Sequence, residues 1–535
     1  MKRVLNFLVT IVFGLAYYYI ALPPLNFQSE EFYFFLISLC TVYIVTSVFT
    51  GIPKIVVNNG GGYFKYLKNN AKIPLIIIAV LLLVTIVGDL TGAHIFRAKD
   101  YRNLLTVTNG DFVTDIKEIS FDKIPMLDRN SAIMLGDRKL GELSDMVSQF
   151  EVAGNYTQIN YKDRPVRVTP LIYGDIIKWI ANQSKGIPAY IVLDMASQEV
   201  DVVRLENGIK YSEAEHFNRN IRRHIRFSYP TYIFDEPTFE IDEEGVPYWI
   251  CPKIVKKIGL FSGTDIEGAV LVNAITGESK YYADVPNWVD RLYNSDLIVQ
   301  QYNYYGQYVH GFLNSMFGQK DVTVTTEGYN YIVLNDDVYL YTGITSVGGD
   351  ASNIGFILSN QRTKETKFYS CAGATEKSAT ASAEGIVQHL GYKATFPLLL
   401  NISDQPTYFV ALKDKANLVK MYAMVNVGQY QLVATGNTVL ECEQEYIKLL
   451  KEKNMTTEEV ITGTKITGVI EDIRTAVKEG NTHYYIKLKD NNNYFTISAV
   501  NYEPVVTLDV LDTITIEYLE NENNNGIYSI YNLTI

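Results

Sequence analysis

Three long apolar runs without charged residues lie within the first ninety residues, and they constrain the fold more than any other feature. They cover residues 4–22, 32–51 and 73–88. The hydrocarbon core of a bilayer is about 30 Å thick, and an α-helix rises about 1.5 Å per residue. We therefore predict three transmembrane helices, the third extending past Asp89 toward Ile95.

The first run has an alternative interpretation as a cleavable signal peptide. Such a peptide ends at a cleavage site of small residues. This run instead ends with Tyr17, Tyr18 and Tyr19, followed by the Pro23-Pro24 pair. These bulky residues favour a helix that is retained.

The bases around the apolar runs predict the orientation, because short loops rich in Lys and Arg stay on the cytoplasmic side. The loop between the first two runs has two Glu and no base, whereas bases precede the first run and follow the second: Lys2, Arg3, Lys54, Lys65, Lys68 and Lys72. We predict that the N-terminus and residues 52–72 lie in the cytoplasm and that residues beyond 98 lie outside. The Gly60-Gly61-Gly62 run lacks the GK[ST] of a phosphate-binding loop, which favours a flexible turn.

The chain after the membrane segment is too long for one core, and its composition favours β-structure. It is rich in Tyr, with 40 in the whole chain against three Trp, and the formal net charge is −12. We expect an α+β multidomain protein with a membrane domain (1–97), a mixed α/β domain (98–205), two α+β modules (206–330 and 331–455) and a small barrel (456–535).

A helix followed by β-hairpins recurs along the large region. Apolar residues at helical spacing cover 169–181 and 211–227, and a short helix is predicted at 378–392. Alternating apolar residues around turn sequences predict hairpins or strands at 189–205, 238–254, 268–282, 354–370 and 395–426. This repetition predicts related modules in tandem.

One of these segments is similar to a known family. The sequence VLVNAITGESKYY, preceded by a helix and the hairpin EIDEEGVPYWI, resembles a PepSY-type module, whose last hairpin commonly carries a D-x-x-TGE turn; here Asn273 replaces the Asp. The resemblance covers residues 211–283 and, more faintly, 354–445. PepSY modules occur in secreted or membrane-anchored bacterial proteins, often as regulatory or inhibitory partners of peptidases. The resemblance implies a binding role outside the membrane and brings no catalytic residues.

The last residues, 458–535, contain five short apolar-alternating stretches separated by Asn- and Gly-rich turns. This spacing predicts a small Greek-key barrel resembling an OB-fold, preceded by a helix over 438–452. Many such barrels bind nucleic acid through a cationic groove, but this segment has five bases and twelve acids. We predict that it binds no nucleic acid and packs against a neighbouring module or subunit.

Several residue clusters could carry chemistry, and each has a structural explanation that we favour. The six histidines (94, 216, 224, 310, 389 and 483) are scattered, and the four cysteines (40, 251, 371 and 442) form no CxxC pair. The acidic string DEPTFEIDEEG lacks the spacing of a calcium loop, and Ser370, Ser378 and Ser382 lie in no nucleophile motif. We predict no catalytic, cofactor-binding or metal-binding residues and no cofactor.

Two further segments could contact partners. The basic run Arg222-Arg223-His224-Ile225-Arg226 could bind a phosphate or a wall polyanion, but a solvated helix face paired with Asp235, Glu236 and Glu240 is favoured. The stretch QYNYYGQYVHGF could stack on sugars or contact another protein, although ordinary core packing is favoured.

Together these features predict a bacterial cell-envelope protein anchored in the cell membrane. Its large extracytoplasmic region would bind other envelope proteins or further copies of itself, and we expect a homo-oligomer. The alternative is an envelope-associated hydrolase or transferase with an unrecognised active site, which would require a deep pocket of converging ionisable groups.

Overall fold

The computed structural model describes residues 2–51, 61–118, 124–348, 352–457, 464–478, 481–499, 502–518 and 526–534. The fold is mixed α+β, with apolar helices at the N-terminus and sheets in the rest. Three helices, α1 (Lys2–Ala21), α2 (Glu30–Gly51) and α3 (Gly61–Thr91), are long and apolar enough to cross a membrane.

The third apolar helix differs from the sequence expectation at both ends. It includes Gly61 and Gly62, so the turn predicted there is wrong for these two residues, while Gly60 lies outside the described residues. It ends at Thr91 rather than near Ile95, and a separate helix, α4 (His94–Arg102), begins after Gly92 and Ala93. The helix is therefore interrupted where the chain leaves the apolar segment.

Polar side chains join the three apolar helices at the end nearest the N-terminus. The Asn6 side chain is fully buried; its Nδ2 donates to Ser47 Oγ (2.8 Å), and its Oδ1 accepts from Thr50 Oγ1 (2.9 Å). Arg3 Nε donates to Asn70 Oδ1 of α3 at 3.0 Å. Interhelical hydrogen bonds of this kind fix helix packing in lipid, where apolar side chains gain little from meeting one another.

The large region begins with two antiparallel sheets. The first sheet follows helix α6 (Arg129–Gly141), and the second follows helix α8 (Ile221–Ser228). A short helix, α7 (Ile176–Asn182), lies between the third and fourth strands of the first sheet. The first sheet contains β2 (Phe150–Val152), β3 (Thr157–Tyr161), β4 (Arg164–Tyr173), β5 (Ile187–Asp194) and β6 (Val200–Ile209). The second contains β7 (Ile233–Phe234), β8 (Thr238–Ile241), β9 (Pro247–Ile258), β10 (Ser262–Asn273) and β11 (Ser279–Tyr282).

Two further sheets follow helices α9 (Ser295–Gln307) and α10 (Glu376–Ile386). The third sheet contains β12 (Thr323–Thr325), β13 (Asn330–Leu334), β14 (Asp337–Ser346), β15 (Ser352–Asn360) and β16 (Thr366–Ala374). The early strand β1 (Val107–Asn109), which precedes the short helix α5 (Phe112–Asp115), pairs with β16 in parallel. The fourth sheet contains β17 (Lys393–Ala394), β18 (Leu398–Ile402), β19 (Gln405–Lys413), β20 (Val419–Asn426) and β21 (Val433–Gly436).

All four sheets have the same strand order. In each, the first two short strands both pair with the third strand, which continues to the fourth and fifth in antiparallel order. The first and second sheets share one apolar core, to which Val168 and Phe239 contribute, and the third and fourth share another, which includes Tyr341 and Val410. The predicted module 331–455 thus contains strands of two sheets.

Helix α11 (Val439–Glu452) follows the fourth sheet and begins where the sequence predicted, with the Thr438 side chain accepting the Glu441 N–H. The last strands are β22 (Thr464–Lys478), β23 (Asn481–Leu488), β24 (Tyr494–Ser498), β25 (Thr513–Tyr518) and β26 (Ile527–Thr534). They close into a five-stranded barrel around a separate apolar core that includes Phe495 and Ile516.

Two predicted helices are shorter than the sequence indicated. Residues 169–173 belong to β4, and α7 starts only at Ile176 because the Asp175 side chain accepts the N–H groups of Ile177 and Lys178. Within 211–227, α8 starts at Ile221, after Asn220 caps the helix through the Arg223 N–H. In both cases an N-capping side chain sets the start of the helix, which apolar spacing alone does not locate.

Candidate functional site

A cleft beside the first sheet contains a concentration of buried hydrogen-bond donors. Its volume is about 280 Å³, and we call it the arginine cleft after Arg129, Arg167 and Arg291, which all line it. Its walls come from the segment before α6, strands β3 and β4, the loop after β11, strand β13 and its preceding turn, and strands β18 and β19. Distant parts of the chain therefore build one site.

Arg167 lies on β4 directly opposite Gln158 of β3. Its neighbours Val166 and Val168 point to the opposite face of the sheet, into the shared core, because side chains alternate along a strand. Arg167 is only 7% exposed. The strand pattern thus directs a guanidinium group into the cleft while apolar residues on either side hold the strand in place.

The buried Arg167 makes few contacts with acceptors. Its Nη2 donates to Gln158 Oε1 at 3.4 Å, while Arg167 Nε and Gln158 Nε2 have no hydrogen-bond partner within the described residues. Burial lowers the pKa of Arg167 to about 10, with smaller lowering effects from the charges of Arg129 and Arg291 and opposing, raising effects from Tyr331 and Asp128. A buried cation with unfilled donors is costly unless something else supplies acceptors.

Two more unfilled donors line the same cleft. The Tyr156 hydroxyl and Arg291 Nε are buried and, in the described part of the chain, have no hydrogen-bond partner. Burial also raises the pKa of Tyr156, so its hydroxyl stays protonated and able to donate. Four residues that line the cleft, on three segments of the chain, therefore carry a buried donor without an acceptor in the described part of the chain.

The carboxylate that lines the cleft is already engaged. Asp128 Oδ2 accepts from Lys413 Nζ at 2.5 Å, and Asp128 Oδ1 accepts the Ser131 N–H at 2.9 Å. Arg129 donates to the carbonyl of Gly154 at 2.8 Å. With the Asp128 charge balanced by Lys413, the three arginines give the cleft an excess of positive charge.

A pair of buried carboxyl groups positions Arg291. Glu240, on β8, accepts the backbone N–H groups of Asp290 and Arg291 at 2.9 and 3.0 Å. Asp290 in turn accepts the Asn160 N–H of β3 at 2.6 Å. Burial raises the pKa of Glu240 to about 7, and burial together with the Glu240 charge raises the pKa of Asp290. These bonds tie the loop that carries Arg291 to both the first and the second sheet.

Aromatic rings complete the cleft. Tyr329 and Tyr331 lie with ring centroids 5.7 Å apart, and Phe396 and Phe409 line the wall contributed by the fourth sheet. The Tyr331 hydroxyl is 2.7 Å from Ser295 Oγ, which fixes that ring. The arrangement suits a small ligand that joins an anionic group to an apolar body.

The basic run 222–226 has a role that sequence reasoning missed. Arg223 Nε donates to the carbonyl of Tyr19 at 3.1 Å, and Arg226 Nε donates to that of Leu22 at 2.9 Å. Both carbonyls lie at the C-terminal end of α1, where unpaired carbonyl groups favour cations. Among the described residues, Arg222 is the one base of this run that forms ion pairs, with Glu213 (2.9 Å) and Glu236 (3.6 Å). Two of the arginines therefore fasten the large region to the first apolar helix.

The loop between α1 and α2 and the C-terminal end of α3 also contact the large region. The Leu25 N–H donates to the Pro230 carbonyl at 2.8 Å, and Gln28 Nε2 donates to the Lys256 carbonyl at 3.0 Å. Gly88 of α3 lies so close to Phe261 that an added Cβ would be 2.4 Å from its ring. We call these contacts, together with those of Arg223 and Arg226, the membrane junction.

The remaining candidates from the sequence are dispersed. His94 packs on Tyr101 and is 2.8 Å from the Tyr308 hydroxyl, while His310 pairs with Asp321. Within the described residues, no group of three or more His, Cys, Asp or Glu side chains could hold a metal ion, and the cysteines are free. In the stretch QYNYYGQYVHGF, Tyr302 and Tyr308 are buried against other elements.

The comparisons with known proteins give no family for this chain. No family model matches it, and no curated protein matches it significantly.

Proposed function

We propose that this is a cell-envelope protein anchored by three transmembrane helices, with the large region outside the cytoplasm binding other envelope proteins or further copies of the chain. The membrane junction carries the proposal. It lies at the ends of the apolar helices opposite Arg3, Lys65, Lys68 and Lys72. Since bases mark the cytoplasmic end, the junction and the large region belong on the outer side.

Exposed apolar residues next to the junction support a large region that rests on the bilayer. One set belongs to α4 and to a segment packed beside it: Ile95, Phe96, Leu313, Met316 and Phe317. Another lies on α7, on α8 and in the turn before α8: Ile176, Ile177, Ile180, Phe217 and Phe227. Phe227 contacts Tyr18 of α1, with ring centroids 5.7 Å apart. Apolar groups beside helix ends gain by entering the interfacial layer of the membrane.

We further propose that the four sheets are tandem PepSY-like modules and that the barrel is OB-like. The support is the common element order of a helix, two short strands on one long strand, and two more antiparallel strands. The TGE turn that suggested the family lies between β10 and β11, where Asn273 Oδ1 accepts the N–H groups of Ile275 and Thr276. Asn273 thus makes the turn contacts that an Asp would make.

Labelling of introduced cysteines on intact cells would test the topology. Lys377 is exposed on α10 and Lys72 is exposed on α3, so K377C and K72C report the two sides. After wall removal, a membrane-impermeant maleimide should label K377C, and it should label K72C only after lysis. The unsubstituted chain gives the background from the native cysteines. Labelling of K72C but not K377C on intact cells would contradict the proposed orientation.

A further inference from the structure

We infer that the arginine cleft is a binding site for the oxyanion of a small ligand, a carboxylate or a phosphate group joined to an apolar or aromatic body. This inference adds a ligand class to the binding role proposed above. It does not depend on which side of the membrane the large region occupies, because the cleft is formed within the large region.

Within the described residues, Arg167 lacks the acceptors that a buried guanidinium group needs. It is more than nine-tenths buried and has no carboxylate partner within the described residues, and its Nε lacks any acceptor there. A guanidinium group presents its donors in a planar fork that matches the oxygens of a carboxylate or phosphate. A ligand with such a group would supply the acceptors that the protein itself leaves out.

Several other residues that line the cleft also carry donors without acceptors among the described residues. Gln158 Nε2, the Tyr156 hydroxyl and Arg291 Nε are also buried donors without partners in the described part of the chain, and all line the cleft with Arg167. Buried polar groups are normally satisfied, so several unfilled donors around one space indicate a missing acceptor rather than a packing fault. Arg167 Nη2 already reaches the Gln158 side chain on the neighbouring strand, so the Arg167 and Gln158 donors lie close enough for one anion to contact both.

The charge of the lining residues and the volume of the cleft both suit a small anion. Asp128 is neutralised by Lys413, which leaves no unpaired carboxylate among the described residues that line the cleft. The volume of about 280 Å³ admits a small molecule, and Tyr329 and Phe396 offer apolar surface to its body. Benzoate and phenyl phosphate are therefore suitable probes, one for each oxyanion, and inorganic phosphate tests the anion alone.

Titration of the purified full-length protein in detergent, at constant ionic strength, would test the inference. Benzoate, phenyl phosphate and inorganic phosphate are added separately while the thermal unfolding midpoint and the heat of binding are measured, with chloride as the reference salt. We expect a saturable rise in the midpoint and one site per chain for at least one oxyanion. Preference for benzoate would indicate a carboxylate source, and preference for phenyl phosphate a phosphate source.

Variants separate a specific site from general salt effects. R167M should weaken binding by at least about 30-fold, because it removes the charged donor, and Y156F should weaken it by about threefold to tenfold. R204M is the matched control, since Arg204 is an exposed arginine of the same sheet paired with Asp145. It should bind as the unsubstituted chain does.

Y156F also protects the test against a folding failure of R167M, because it removes a single oxygen from the same cleft. If none of the probes shows saturable binding, or if R167M and Y156F bind as tightly as R204M, water satisfies these donors and the inference is overturned.

Discussion

Two arginines of almost equal burial, Arg226 at the membrane junction and Arg167 in the arginine cleft, have opposite surroundings. They are 8% and 7% exposed, respectively. Arg226 donates to the carbonyls of Leu22 and Tyr232 and lies over the Phe234 ring, 5.7 Å from its centroid. Within the described residues, Arg167 makes one side-chain hydrogen bond, which is long at 3.4 Å, and its Nε has no acceptor. Burial of an arginine alone therefore does not define a binding site. A buried arginine whose acceptors come from the protein is structural, whereas one that lacks acceptors is a candidate for binding an anionic ligand.

The largest expected effect comes from breaking the structural arginine. R226M removes the donors that satisfy the Leu22 and Tyr232 carbonyls, so the free energy of unfolding should fall by about 3 kcal/mol. Urea unfolding of the purified protein, followed by circular dichroism, measures this change. R222M is the control, because Arg222 is half exposed and its ion pairs contribute at most about 1 kcal/mol. Equal effects of the two substitutions would contradict the structural role of Arg226.

A smaller effect concerns pH and the carboxyl pair that supports the cleft. Burial raises the pKa of Glu240 to about 7 and raises that of Asp290, so the folded protein retains protons that the unfolded chain releases near pH 4 to 5. The contribution of Glu240 to stability is present below that range and is lost as pH rises through about 7, and the raised pKa of Asp290 acts in the same direction. We expect a loss on the order of 2 kcal/mol between pH 5 and pH 8.

The variant D290N removes one of the two carboxyl groups, because an Asn at position 290 retains an oxygen for the Asn160 N–H but cannot ionise, whereas Glu240 remains. Urea unfolding at several pH values should give a flatter profile for D290N than for the unsubstituted chain, because only Glu240 then contributes. Parallel profiles for the two proteins would show that Asp290 does not titrate as proposed.

The smallest effect on stability, and the one with the opposite sign, is expected at the cleft. R167M replaces a buried, poorly paired cation by an apolar side chain of similar length, so the ligand-free protein should be unchanged or more stable by about 1 kcal/mol. Measured beside R226M under the same conditions, the substitution sharpens the contrast between the two arginines. A loss of 2 kcal/mol or more would assign Arg167 to the fold rather than to a site.

The parts of the fold that sequence reasoning predicted are those with local signals. The apolar runs indicated α1 to α3. Turn sequences such as the one before Gly245 indicated the hairpins around them. In that turn the Asp242 side chain accepts the N–H groups of Glu244 and Val246. The helix predicted over 169–181 was wrong because the apolar end of β4 continues the helical spacing of α7 across Gly174.

The arginine cleft could not be predicted in this way, because its walls come from residues between Pro125 and Ala411 that only the fold brings together. One local signal was present: Arg167 interrupts a strand that is buried on both sides of it, in the sequence PVRVTPL. The partners of Arg223 and Arg226 were likewise missed, since these are backbone carbonyls some 200 residues away, and sequence gives no indication of them.

Cross-linking in native membranes tests the central claim, a large region seated directly on its membrane helices, most directly. Asn26 Nδ2 donates to the Thr231 carbonyl at 2.8 Å across the membrane junction. A short bifunctional maleimide should therefore join N26C and T231C within one chain, and mass spectrometry should detect the linked peptides. The pair K72C and T231C is the control, because Lys72 lies about 28 Å along α3 from Thr91. Efficient linkage of the first pair alone is the predicted result; failure of that pair, or equal linkage of both, would contradict the account.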